Sequence, residues 1–190
     1  MRNIHFYFMV LISGFLLVIS CKKEKTETPT VNLPIGSVYK GGILAYILQP
    51  GDPGYIVGQT HGLIAAPSDQ STGIKWFNGT ITTTGASGTA IGTGFANTDS
   101  IVLNQGPGDY AAKICQDLVI DTYGDWFLPS KDELNKLYLN KKAIGGFSVD
   151  YYWSSSEGNN LYVWNQSFSN GDQSYDGKEG IASVRAIRSF

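Results

Sequence analysis

The carboxy-terminal stretch of this 190-residue chain restricts the fold more than any other part. Three β-forming segments, YYWSSS, LYVWNQSF and ASVRAIRSF, follow one another, with the turn dipeptides Asn170-Gly171 and Asp176-Gly177 between the second and the third. Both dipeptides suit the tight turns of β-hairpins, where positive φ is required, so the stretch reads as an antiparallel meander. Within LYVWNQSF, Tyr162, Trp164, Gln166 and Phe168 share one face, and Leu161, Val163, Asn165 and Ser167 share the other. Neither face is wholly polar, which predicts a strand covered on both sides for part of its length. Arg185 and Arg188 lie three apart and so point to opposite faces of the last strand. One of them, with Arg185 taken as the structural residue, should bury its stem and pair with a carboxylate such as Asp125 or Glu133.

Upstream, YGDWFLPSKDELNKLY carries a legible helix start. Pro129 biases Leu128 toward extended backbone. Ser130 then serves as N-cap with Glu133 three residues on, a capping box in which each side chain satisfies a backbone N–H at the helix mouth. Leu134, Leu137 and Tyr138 follow on one face, predicting a helix over about 131–140. Capping accounts for Glu133 without a general-acid role. A second helix is predicted over about 109–119, where Ala111, Ala112, Ile114, Cys115, Leu118 and Val119 recur at helical spacing. The apolar runs GGILAYIL and GLIAA read as strands. Trp126 and Trp153, in strand-like surroundings, are expected in the core. Between Ile74 and Asn104 the chain is dense in Gly, Thr, Ser and Asn and reads as loop. Gly92-Thr93-Gly94 lacks the third glycine of a dinucleotide fingerprint and the lysine of a P-loop.

The first residues, MRNIHFYFMVLISGFLLVIS, combine Arg2 with an apolar run too short to span a bilayer comfortably, as in a secretory signal. Val18-Ile19-Ser20-Cys21 resembles a bacterial lipobox, which implies cleavage before Cys21 and acylation of that cysteine. An uncleaved anchor is the alternative, disfavoured by the segment's length. The expected layout is a signal peptide over residues 1–20, an acylated Cys21 with a flexible tether over 21–34, and one folded domain over 35–190. The expected location is the cell membrane or outer membrane, with surface display as a further hypothesis. More than one acyl chain would make the membrane a stable partner. Removing Arg2 shifts the net charge from −2 to about −3 and leaves no basic stripe, which argues against nucleic acid. With Cys21 acylated, Cys115 has no disulfide partner and reads as a small core residue.

Catalytic and metal chemistry find little support. His61 is the one histidine beyond the leader; no serine occupies a nucleophile elbow, and too few ligands are available for zinc. DQSYDGKEGIAS imitates the first half of an EF-hand loop at Asp172, Ser174, Asp176 and Gly177, but Ser183 stands where the bidentate glutamate belongs. No metal and no cofactor are therefore expected. Aromatic side chains are the better functional material. Trp76, Tyr151, Tyr152, Trp164 and Tyr175 could offer flat apolar faces to a ligand, with Asn160, Asn165, Asp172 and Gln173 bonding its hydroxyls. Tyr175 is the strongest candidate because Gly-flanked hairpins are exposed.

GDWFLPSKDEL, YYWSSS, FSNG and VRAIRSF, preceded by GFANT and YAAKIC, together resemble the Lcl carboxy-terminal domain family from about Ile35 to Phe190. The resemblance implies an α+β, C-type lectin-like fold: a twisted, mainly antiparallel sheet with two helices and long loops. It also implies an adhesin-like, non-enzymatic binding protein whose partner is a glycan, a glycosaminoglycan, or an envelope or host protein. The calcium-binding tripeptides of C-type lectins are missing, and VWNQ places Gln166 where a calcium ligand would be aspartate. The cysteines of formylglycine-generating enzymes are missing too, so an oxidoreductase of that type is the alternative with least chemistry. A structural protein docking on an envelope partner is the other alternative.

Overall fold

The computed structural model describes residues 32–190. The signal segment, Cys21 and most of the tether lie outside the described residues. Strands β1 (Val38–Tyr39), β2 (Gly42–Ile47) and β3 (Gly62–Ala65) come first, followed by β4 (Ser71–Lys75). Four helices follow: α1 (Gly94–Gln105), α2 (Ala111–Gln116), α3 (Lys131–Leu139) and α4 (Lys141–Ile144). The chain closes with β5 (Tyr151–Glu157), β6 (Tyr162–Ser167), β7 (Gln173–Gly177), β8 (Ile181–Val184) and β9 (Ile187–Ser189).

The mixed α+β class is as expected, but the single sheet is divided. One sheet has the order β1-β2-β3-β9, the other β4-β8-β5-β6-β7. GGILAYIL and GLIAA form β2 and β3, which pair antiparallel from Ile43–Ala65 to Ile47–Gly62. Gly62 is required there: a Cβ would stand 2.1 Å from the Tyr46 carbonyl oxygen. The carboxy-terminal segment ASVRAIRSF, expected as one strand, breaks at Arg185-Ala186 and passes from one sheet to the other. Its register changes because the fully buried Arg185 turns its guanidinium inward. Nε donates to Asp69 Oδ1 (2.6 Å), and the terminal nitrogens donate to the Ala66 and Gly146 carbonyls. Arg188 is the one that takes Asp125, through two bonds of 2.6 and 2.8 Å. Asp125 is held below its usual carboxylate range by that hydrogen-bonded guanidinium. Glu133 pairs with neither arginine.

The meander also needs correction. β5, β6 and β7 are antiparallel neighbours, but Asp176-Gly177 ends β7 without returning beside it. β8 instead crosses to the far side of β5 and runs parallel to it at Tyr152–Ser183.

α3 starts as its sequence dictates. Ser130 Oγ accepts from the Glu133 N–H, and Glu133 Oε2 accepts from the Ser130 N–H at 2.7 Å. Glu133 does more than cap: its other oxygen accepts from Gly92 N–H (2.8 Å), tying the approach of α1 to α3. Burial raises its carboxyl pKa, opposed by these N–H donors. α2 is shorter than predicted, and α1 occupies chain expected as loop. The buried face of α1 explains why it was hidden, since Asn97, Thr98 and Gln105 lie there with Ile101. Each polar group is used: Asn97 Nδ2 donates to Gly88 O, Thr98 Oγ1 accepts from Leu128 N–H, and Gln105 Oε1 accepts from Asn78 N–H.

Two apolar clusters form the core. One gathers Trp76, Ile101, Cys115, Trp126 and Trp153; the other gathers Leu63, Phe127, Leu134, Leu137, Tyr152 and Phe168. Burial pushes the Cys115 thiol pKa far up, which keeps it a neutral packing group.

Candidate binding site

Register places the site. Tyr162, Trp164 and Gln166 of β6 stand opposite Gly177, Tyr175 and Gln173 of β7. Period-two alternation puts all six positions on one face of the hairpin. Trp164 and Tyr175 pack with ring centroids 4.0 Å apart at 36°, and the Lys131 ammonium lies 4.1 Å from the Trp164 centroid. Trp164 is thus held by a tyrosine and a cation, and acts as the backing of Tyr175. Tyr162 and Tyr175 remain 47% and 53% exposed, large apolar surfaces left to water on a strand pair.

Between them lies an open cleft of about 360 Å³ lined by Gly158, Asn159, Tyr162 and Tyr175. Gly158 permits it: a Cβ there would sit 2.3 Å from Tyr175 Cε1. Asn159 Oδ1 accepts from the Leu161 and Tyr162 N–H groups, which leaves its Nδ2 as the free donor to offer a ligand. Glu179 comes over Gly177, its Oε1 2.6 Å from where a Cβ would stand, so a carboxylate borders Tyr162.

The hairpin is braced from below. Gln173 Nε2 donates to Lys131 O, Lys131 N–H donates to Ser156 Oγ, and Gln166 Nε2 donates to Asn135 Oδ1, each at 2.9 Å. Gln166 Oε1 is buried and lacks a partner among the described residues. A buried ion pair between Lys178 and Glu157 closes the end of β7 onto the end of β5. Glu157 also accepts from Thr84 and Gly85 N–H, and Lys178 from its side donates to Thr82 O.

Of the candidates named from sequence, Trp164 and Tyr175 come together here and Gln173 supports them. Asn160 is exposed in the turn beside Asn159. Asp172 is exposed at the other end of the hairpin, where its Oδ2 accepts from Asn170. Three expectations of an accessible side chain fail. Trp76 and Tyr152 have no exposed surface. Their polar atoms are spent inward, Trp76 Nε1 on Ser154 O and the Tyr152 hydroxyl on Asp69. Asn165 is buried on the opposite hairpin face, where its Oδ1 accepts from Ser174. Tyr162, Gly158, Asn159, Glu179 and Lys131 were not singled out. The alternation that paired Tyr162 with Trp164 was the signal for the first.

The groups that could do chemistry are dispersed. His61 borders a separate apolar groove of about 220 Å³ with Leu48, Pro53 and Phe190, and its Nδ1 lies 3.2 Å from the Phe190 carbonyl oxygen. Glu133 is enclosed at the helix mouth and Cys115 in the core. Among the described residues, no three His, Cys, Asp or Glu side chains gather as metal ligands. No described helix is long and apolar enough to cross a membrane.

Comparison with known proteins bears on the whole arrangement. A fimbrial protein from Bacteroides ovatus ATCC 8483 has a similar structure, with a TM-score of 0.53 at 16% identity. The similarity covers 86% of this chain but 45% of that protein, so this chain spans less than half of its length. No curated protein matches this chain. The family model of the Lcl C-terminal domain matches residues 66–188, which take in β4 to β8, all four helices and most of β9. The chain therefore belongs to the Lcl C-terminal domain family.

Proposed function

We propose that this protein is an exported, adhesin-like binding protein, not an enzyme, and that its hairpin cleft holds a carbohydrate. One observation carries the proposal: two half-exposed tyrosines border an open cleft on a strand pair that is locked in place from beneath. Exposed aromatic rings with a few polar groups beside them suit the alternating apolar and hydroxyl faces of a sugar. Family membership and a fold like that of a fimbrial protein support a surface-associated role. The C-type lectin-like reading of the fold belongs to the same proposal, as does membrane attachment through an acylated Cys21. Dispersal of His61, Glu133 and Cys115 favours binding over the oxidoreductase alternative.

The detergent-solubilised full chain, probed on a glycan array with calcium and again with chelator, tests this. Binding to defined glycans, equal in both conditions, is the expected result. Silence on the array together with stoichiometric capture of one envelope protein would replace the carbohydrate with a protein partner.

A further inference from the structure

We propose that the Tyr162–Tyr175 cleft selects a single neutral hexose ring over sulfated or uronic sugars, an inference that rests on the carbohydrate reading of the same cleft. Size limits the ligand first. A cleft of about 360 Å³ lies at the low end of the roughly 300–1,000 Å³ of small-molecule sites, which suits one ring and not a run of residues.

Charge then selects among rings. The strand position opposite Tyr162 is Gly177, and the space its side chain would fill is taken by the Glu179 carboxylate. A carboxylate there accepts hydrogen bonds from ring hydroxyls and repels sulfate or carboxylate at the same place. The nearby cations are already engaged. Lys178 is buried against Glu157, and the Lys131 ammonium lies on the Trp164 ring, the backing of Tyr175. With the Glu179 carboxylate beside the cleft and its own charge already on the Trp164 ring, that single ammonium does not make the cleft an anion site. The remaining polar group of the lining, Asn159 Nδ2, is a neutral donor, and the tyrosine hydroxyls both donate and accept. This set matches a polyol.

Oligosaccharides ending in galactose, glucose, mannose or N-acetylglucosamine, and their sulfated or uronic counterparts, are titrated into the full chain at low and high salt. At least one neutral sugar should bind, with affinity changing less than about twofold between the two salts. Tyr162→Ala should weaken that binding by about tenfold or more. Glu179→Gln should narrow the discrimination against the sulfated counterpart several-fold. Binding confined to sulfated or uronic sugars and abolished by salt overturns the neutral-ring inference and leaves the carbohydrate reading standing. No binding to any sugar by a chain shown to be folded by circular dichroism overturns both.

Discussion

Gly158 shows how a single atom decides the site. Its missing Cβ is the space that the Tyr175 ring occupies, so Gly158→Ala must turn that ring away. Sugar binding should fall about tenfold while the melting temperature stays close to that of the parent, because the turn is exposed. Gly94 makes the opposite case. A Cβ there would press within 2.2 Å of Glu133 Oε2 and 2.9 Å of the Ser130 nitrogen. Gly94→Ala should therefore destabilise by about 2 kcal/mol or more in denaturant titration, since neither buried neighbour can move away. Glu133 itself gives a pH signature. Its pKa is raised in the folded state, so the fold binds more protons than the unfolded chain between its ordinary and raised values. Glu133 then costs stability as pH rises through that window and costs none below it. The melting-temperature difference between the parent and Glu133→Gln should shift in the parent's favour from neutral pH toward pH 4.5. A pH-independent difference would exclude this account of Glu133. At this scale Ser130 and Glu133 were legible because capping is a contact between neighbours in sequence. Trp76 and Tyr152 were not, because an aromatic residue in a polar string does not announce which side of the sheet faces the core.

At the scale of elements, the hairpin that carries the tyrosines depends on a buried pair that the sequence did not suggest. Lys178 and Glu157 have side chains 1% and 3% exposed, and together with Thr82, Thr84 and Gly85 they fasten the long loop after Trp76 to the ends of β5 and β7. Removing only one charge leaves the other buried and unpaired. Lys178→Met should cost about 3–5 kcal/mol, and the double variant with Glu157→Gln should recover part of it in the same denaturant titration. Equal losses in the single and double variants would mean that packing, not charge, governs the site. The loop itself was read correctly from Trp76 to Thr93, but Ile74 and Lys75, placed in it, close strand β4, and α1 was hidden by the polar residues on its buried side. The strand after β7 was misplaced for a different reason. A turn dipeptide predicts a reversal, yet the strand that follows need not pair with the one before it, and here β8 pairs with β4 and β5.

Over the whole molecule, the two sheets are joined where Arg185 and Ala186 carry the chain from β8 to β9, and Phe127 bridges Ile187 just beyond that crossing. The Arg185–Asp69 pair and its carbonyl contacts fill the crossing, so the break in the last strand does not leave the Arg185 guanidinium unpaired in the interior. Class and most of the strands were legible, since apolar runs and turn residues report local structure. Division into two sheets was not, because it depends on which distant strands meet. The architecture leaves the β6–β7 hairpin at one edge of the second sheet, with Tyr162 and Tyr175 about half exposed. That such an edge binds sugar without transforming it is the central claim. Its most direct test is calorimetric titration of an array-selected sugar into the parent chain and into the Tyr162→Ala/Tyr175→Ala double variant. The account predicts that the parent binds and returns the sugar unchanged, whereas the variant melts like the parent but has lost at least about tenfold in affinity. Undiminished affinity in a folded double variant would contradict it.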